Sequence, residues 1–98
     1  MAQNKTLKKD ITIVNQRGLH ARAAAKLMKA ADSFETDIRV TCNKNVVSAK
    51  SILDLLTLGA AQGTIITLEV DESTDAQTAL NTLSTLIENG FGEDTPQQ

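Results

Sequence analysis

The sequence predicts an α+β fold, an open-faced two-layer sandwich in which a four-stranded antiparallel sheet carries three helices on one face. Three observations favour this fold. The predicted elements follow the order β-α-β-β-α-β-α, two of the short strands form a hairpin, and the two longer helices each show one apolar stripe. A chain of 98 residues with 41% hydrophobic residues is long enough for one core and too short for two.

The first strand and the first helix have clear signals. Residues 11–14 (ITIV) form a β-branched run bounded by the turn-like NQRG, which predicts a strand. The helix begins at Ala21, and Asp32-Ser33 ends it. Lys26 and Lys29 fall on its solvent side, whereas four apolar residues follow the i, i+3, i+4, i+7 spacing of a buried face. These four are Ala24, Leu27, Met28 and Ala31.

The middle of the chain predicts a hairpin followed by a short helix. Residues 36–42 alternate between apolar and polar side chains, as a half-buried strand does. The NKN at residues 43–45 predicts a turn, so residues 46 and 47 begin the returning arm. The short helix has Ser51 as its N-cap, and Gly59 lies just past its end.

The last two elements are a fourth strand over residues 64–70 and a third helix over residues 74–89, which Gly90 ends. We expect a single domain over residues 1–98, with an ordered core over about residues 10–91 and loose ends that include the tail EDTPQQ. The apolar stripe of the third helix consists of Ala76, Ala79, Leu80, Leu83, Leu86 and Ile87.

Composition excludes several classes of protein. The formal net charge is −2 and the only aromatic residues are Phe34 and Phe91, so the chain lacks the basic excess and the stacking side chains of a nucleic-acid binder. The single cysteine, Cys42, cannot form an internal disulfide, which suits a reducing compartment. No signal peptide is visible, and no apolar run approaches the ~18 residues of a membrane span. We therefore expect a cytoplasmic protein without membrane insertion.

The stretch GLHARAAA at residues 18–25 contains the only histidine, His20, at the start of the first helix. A helix N-terminus has N–H groups without partners and carries a partial positive charge. Arg22 adds a guanidinium, and Gly18 lets the entering backbone turn tightly. A phosphoryl group on His20 would therefore meet several donors, and the same positive field favours the neutral, nucleophilic imidazole.

Other interpretations of His20 stay open. A histidine at a helix start is often a capping or partly exposed residue without chemistry. Metal binding has little support, because the sequence has no His/Cys spacing motif. No serine and aspartate are singled out as partners for a catalytic triad, and a general acid–base pair of His20 with a carboxylate has no specific signal.

Two motifs resemble the histidine-containing phosphocarrier (HPr) family of the bacterial phosphotransferase system. They are GLHARAAAKLM at residues 18–28 and SAKSILDLLTLGAAQGTIITLEV at residues 48–70, and the resemblance runs over about residues 11–91. The predicted order of elements is that of the family's open-faced sandwich. The ending LIENGFGED is similar to the nitrogen-related branch of the family (NPr).

The resemblance implies a phosphocarrier without a cofactor. His20 would accept the phosphoryl group of phosphoenolpyruvate from enzyme I on Nδ1 and pass it to a IIA-type domain, while Arg22 stabilises the transferred group. The protein would return unchanged and would not be an independent catalyst. The family commonly has proline after this arginine, where the present sequence has Ala23. Alanine preserves the helix but leaves its first turn less rigid.

The resemblance also implies a regulatory site and a docking surface. Ser51 matches the serine that a dedicated HPr kinase phosphorylates in some bacteria, although an N-cap role explains this serine equally well. Leu53 and Leu56 match residues that contact partners. They would form an apolar patch beside the basic residues of the first helix, which suits partners with acidic edges. The basic residues are Arg22, Lys26 and Lys29.

Three classes of function remain at this point. The leading one is a phosphocarrier, for sugar uptake or for nitrogen-type regulation. The second is a regulatory binding module with this fold and no chemistry. The third is a small acid–base enzyme, which would need a pocket and a perturbed carboxylate near His20. For the carrier we expect a monomer that forms brief complexes.

Overall fold

Four strands form one antiparallel sheet in the order β1-β4-β2-β3, with three helices packed on one face. A computed structural model describes residues 5–93 of the protein. The predicted α+β open-faced sandwich is confirmed. The strands are β1 (Thr6–Thr12), β2 (Ile38–Cys42), β3 (Asn45–Ser48) and β4 (Ile65–Asp71). The helices are α1 (Ala21–Asp32), α2 (Ile52–Thr57) and α3 (Ala76–Glu88), and a 3₁₀ turn, Gly90–Gly92, follows α3.

The core lies between the sheet and the helices, and alternation along the strands builds it. In β2 and β4 every second side chain is buried under the helices, as the period of two requires. The predicted buried stripes of α1 and α3 are confirmed, except that Met28 and Leu86 are only partly buried. The buried strand residues include Ile38, Val40, Cys42, Ile66, Leu68 and Val70.

The other face of the sheet is mostly polar, although Val46 and Ile65 are exposed on it. Arg39 donates to Asp71 over 2.6 Å and lies 3.5 Å from Glu69. The hydrogen bond to Asp71 and the charges of both carboxylates outweigh burial, so the pKa of Arg39 is raised. Thr67 donates to Asp10 over 2.7 Å across the β1–β4 pair. Cross-strand pairs of this kind suit a solvated sheet face.

The first strand differs from its prediction. We expected it over residues 11–14, with the ordered core starting near residue 10, but β1 begins at Thr6 and ends at Thr12. Its N-terminal half is polar, so the local pattern shows no strand there. Pairing with β4 creates it, since Leu7 lies opposite Val70 and Ile11 lies opposite Ile66. Tertiary pairing overrides weak local propensity in such strands.

The C-terminal segment also differs from its prediction. Three consecutive residues, Gly90, Phe91 and Gly92, have φ of 64°, 59° and 72°, which turns the chain back toward α1. The Phe91 side chain is buried, and its carbonyl accepts a 2.8 Å hydrogen bond from Lys26 Nζ. Glu93, which we expected in a loose tail, is therefore held against the body of the protein. The rest of the predicted loose tail lies outside the described residues.

The remaining elements are confirmed with shifted ends: β2 begins two residues later than predicted, β4 lies one residue further along the chain, and α3 is shorter at both ends. Asn43 and Lys44 form the hairpin turn with φ of 51° and 72°, and Asn45 already belongs to β3. Positive φ at both central positions is the hairpin geometry that matches strand twist. Over residues 5–93 we find no helix long and apolar enough to cross a membrane.

Candidate phosphoryl-acceptor site

A tight turn at Gly18 sets the position of the histidine. Gly18 has φ of +67°, and a Cβ atom there would lie 2.5 Å from the carbonyl oxygen of Ala60. That same carbonyl accepts a 2.8 Å hydrogen bond from the N–H of Leu19. Only glycine combines this φ with so close an approach of two backbone segments. The predicted tight turn before the helix is confirmed, and it fixes the entry of the chain into α1.

His20 is the N-cap of α1. Its backbone is extended (φ −85°, ψ −177°), and its Nδ1 accepts a 3.3 Å hydrogen bond from the N–H of Arg22. The His20 carbonyl accepts the first helical bond, 2.8 Å from the N–H of Ala24. The first turn contains no acidic residue. The nitrogen Nδ1 therefore stands where the helix N-terminus concentrates positive potential.

The other ring nitrogen has a partner that sequence reasoning missed. His20 Nε2 bonds Glu93 Oε2, and the two side chains are only 18% and 16% exposed. The other carboxylate oxygen, Oε1, accepts a 3.0 Å bond from Asn15 Nδ2, which also donates to the carbonyl of Gly18 over 2.7 Å. No local pattern signals this contact, because 73 residues separate Glu93 from His20.

The environment of Glu93 favours its charged form. Burial by itself would raise the pKa of the carboxyl group, but the hydrogen bonds from Asn15 and His20 lower it. Electrostatic interactions with His20 and Arg17 act in the same direction, and the net result is a lowered pKa. Glu93 is therefore an ionised carboxylate at neutral pH, placed against the imidazole.

Arg22 and the two lysines lie on the exposed side of α1. The Arg22 side chain is exposed, and within residues 5–93 its guanidinium donates to no other residue, so it can meet an incoming anion. Lys26 and Lys29 are also exposed, as predicted. Ala23, in place of the family's proline, is fully buried in the first turn and leaves the helix intact.

The short helix α2 presents two leucines to solvent. Leu53 is 76% exposed and Leu56 is 37% exposed, whereas Leu55 is fully buried and Ile52 partly so. The helix packs against α1. The prediction that Leu53 and Leu56 face outward is confirmed. The contact of these two leucines with partners stays a prediction.

Ser51 occupies the predicted N-cap of α2. Its Oγ accepts a 3.2 Å hydrogen bond from the N–H of Asp54, so the capping role is confirmed. Its phosphorylation stays a prediction. In the described part of the chain, no group of three or more His, Cys, Asp or Glu side chains could hold a metal ion.

Comparison with known proteins places this geometry in a family. The chain matches the family described as the PTS HPr component phosphorylation site over residues 7–89. The phosphocarrier protein HPr of Xylella fastidiosa strain Temecula1 is 42% identical, over 91% of this chain and 99% of the relative. The crystal structure of HPr-C-His from Thermoanaerobacter tengcongensis superposes with a TM-score of 0.84 at 38% identity, covering 91% of this chain and 99% of that one.

A second structure from that organism is an HPr dimer, 41% identical, with a TM-score of 0.69 and coverage of 85% of this chain and 94% of that one. The likeness extends over sequence, fold and nearly the full length of both kinds of relative. The four-stranded antiparallel sheet with three helices matches the fold of these HPr structures. This chain therefore belongs to the HPr family, the phosphocarriers of the phosphotransferase system.

Proposed function

We propose that the protein accepts a phosphoryl group from phosphorylated enzyme I on His20 Nδ1 and passes it to a IIA-type domain. One observation carries the proposal. Nδ1 lies at the N-terminus of α1, where the N–H of Arg22 already points at it over 3.3 Å. Backbone N–H groups, the helix dipole and a guanidinium can then hold a phosphate together.

Transfer needs only the imidazole as a nucleophile. The Nδ1 lone pair forms a bond to phosphorus while the bond from phosphorus to the donor's histidine nitrogen breaks, and that electron pair returns to the donor. The exposed guanidinium of Arg22 neutralises the charge on the phosphoryl oxygens during both the loading and the unloading step. The Arg22 N–H, which donates to Nδ1 in the free protein, becomes a donor to the phosphoryl group instead.

Docking would use the exposed side of α1 and α2. Leu53 and Leu56 offer an apolar contact area, and Lys26 and Lys29 provide a basic rim for acidic partners. Phosphorylation of Ser51 by an HPr kinase would add negative charge at the N-terminus of α2 and oppose such docking. The protein would act in the cytoplasm as a monomer, for sugar uptake or nitrogen-type regulation, and sedimentation would distinguish a monomer from a dimer.

The deciding experiment is intact-mass spectrometry after incubation with phosphoenolpyruvate, magnesium and enzyme I. We expect one acid-labile phosphoryl group on the wild type, none on His20→Ala, and an unchanged gain on Ser51→Ala. Acid lability identifies a phosphoramidate such as phosphohistidine and distinguishes it from phosphoserine, which is a phosphate ester. Failure of the wild type with every enzyme I tested would refute the carrier role and leave the regulatory binding module.

A further inference from the structure

The two nitrogens of His20 face opposite kinds of partner. A backbone N–H can only donate, so the N–H of Arg22 requires a lone pair on Nδ1. An ionised carboxylate can only accept, so Glu93 requires the proton on Nε2. Both contacts select the same tautomer. It is the one that exposes the lone pair on the nitrogen proposed to attack phosphorus.

We propose that Glu93 is a positioning residue that holds His20 in this tautomer and orientation throughout phosphoryl transfer. The proposal rests on the proposed function of His20 as the phosphoryl acceptor. It adds a residue from the far end of the chain to the mechanism. A carboxylate that orients an imidazole through the opposite nitrogen is a recurrent device for activating histidine.

Asn15 fixes the carboxylate in turn. Its side chain is almost fully buried at 2% exposure, and its Nδ2 group has two protons. One is donated to the carbonyl of Gly18 at 2.7 Å, and the other to Glu93 Oε1 at 3.0 Å. The carboxylate therefore has one oxygen committed to Asn15 and the other to His20. The asparagine also links the carboxylate to the turn that precedes the histidine.

The reversal of the chain after α3 brings the Glu93 carboxylate to the imidazole. Gly90, Phe91 and Gly92 all have positive φ, which reverses the chain after α3. The buried Phe91 side chain anchors the reversal, and Lys26 holds its carbonyl. Glycine at the two flanking positions lowers the cost of this backbone conformation. Glu93 follows directly and reaches the imidazole.

The proton balance shows what the carboxylate contributes to transfer. When Nδ1 bonds to phosphorus and the donor's nitrogen–phosphorus bond breaks, the proton on Nε2 stays in place. The phosphorylated ring then carries a positive charge, which the Glu93 carboxylate stabilises. When the phosphoryl group leaves for the acceptor, its bonding electrons return to Nδ1 and the ring is neutral again. No proton has to leave or enter the ring in either direction.

Glu93→Gln gives a sharp test, because a glutamine side chain cannot accept from both partners. One of its two terminal atoms is an NH₂ group, which donates. Asn15 is buried and needs an acceptor, so the glutamine oxygen will face Asn15 and its NH₂ group will face His20 Nε2. That arrangement favours the opposite tautomer, with the proton on Nδ1. Glu93→Ala only removes the acceptor and leaves the ring free.

The measurement combines ¹⁵N NMR of the neutral imidazole with rates of phosphoryl transfer from enzyme I. We expect the wild type to carry the proton on Nε2. Glu93→Gln should shift the population toward Nδ1–H. Transfer should fall about tenfold in Glu93→Ala and about a hundredfold in Glu93→Gln. Glu88→Gln, which removes an exposed carboxylate that pairs with Lys9, is the charge-matched control and should leave both readouts unchanged.

The order of the two variants separates positioning from mere packing. If Glu93 only supported the fold, the isosteric glutamine would be milder than alanine, and that order would overturn the proposal. Unchanged tautomer populations in Glu93→Gln would also overturn it. The NMR readout needs no enzyme I, so it decides the role of Glu93 even if the wild type accepts no phosphoryl group. In that event the proposed carrier function is refuted, and the NMR result alone decides whether Glu93 sets the tautomer of His20.

Discussion

The N-termini of α1 and α2 have similar capping geometry but differ in the residues that surround them. Each begins with an extended residue whose side chain accepts a hydrogen bond from a backbone N–H, His20 from Arg22 and Ser51 from Asp54. Around the first, however, the structure assembles a glycine turn, a buried asparagine and a carboxylate from the C-terminal segment. Among residues 5–93, no side chain from elsewhere in the chain makes a hydrogen bond to Ser51.

The charges at the two helix starts also differ. The first turn of α1 contains Arg22 and no acidic residue, whereas the first turn of α2 contains Asp54. Within the first helical turns, therefore, side-chain charge favours an anion in α1 and opposes one in α2. The two helix starts thus share a cap and differ in charge and in long-range contacts, and these differences support the proposed reaction site at His20. At Ser51, by contrast, the cap bond itself accounts for the residue.

The sharpest structural test of this contrast is the turn before α1. Gly18→Ala places a Cβ atom 2.5 Å from the Ala60 carbonyl at a φ of +67°. We expect a loss of about 3 kcal/mol in the free energy of unfolding, measured by urea denaturation. Gly59→Ala, after α2, is the matched control, because its φ is +59° and nothing lies within 4 Å. It should cost about 1 kcal/mol. Equal losses would mean that the close approach at Gly18 is not a constraint.

The charge difference predicts a kinetic effect. Arg22→Ala should lower the rate of phosphoryl transfer from enzyme I about a hundredfold, because it removes a donor to the transferred oxygens. Lys8→Ala, which removes an exposed positive charge from the polar face of the sheet, should leave the rate unchanged. Similar losses in both variants would show that overall charge, and not the helix start, governs the reaction.

The second helix start should respond only in stability. Ser51→Ala removes the acceptor for the N–H of Asp54 and should cost about 1 kcal/mol of unfolding free energy. Phosphoryl acceptance by His20 should be unchanged. Thr57→Ala, at the other end of α2, is a comparison variant: it also removes one hydrogen bond, from its hydroxyl to the Asp54 carbonyl over 2.6 Å, but it leaves the cap bond in place. A loss of phosphoryl transfer in Ser51→Ala would contradict the separation of the two sites.

The smallest expected effect is a pH dependence of stability at the first site. The pKa of Glu93 is below its ordinary value of 4.5, so the folded state binds the proton more weakly than the unfolded chain does. Its contribution is fully present above the unfolded pKa and is lost as the pH falls through the lower, folded pKa. We expect at most about 1 kcal/mol. When the free energy of unfolding is measured against pH, Glu93→Gln should lack this pH-dependent contribution. Glu88→Gln should show the same pH dependence as the wild type.

Local patterns predicted most elements because their signals lie within a few residues. The alternation over residues 36–42, the apolar stripe of α3 and the capping serine of α2 each specify their structure at short range. The polar start of β1 had no such signal, since Lys8 and Lys9 read as loop. Its partner β4 is more than fifty residues away, and the pairing that makes it a strand is a property of the assembled sheet.

The candidate site likewise has one part that local sequence patterns predict and another that depends on long-range contacts. The sequence by itself determined that His20 lies at a helix start beside Arg22, because glycine, helix formers and a guanidinium within five residues leave few other arrangements. Only the tertiary structure decided what the imidazole's second nitrogen contacts. Glu93 reaches it through a reversal after α3, and Asn15 holds it from the opposite end of the chain. Contacts across such distances depend on how the core closes, which no local spacing encodes.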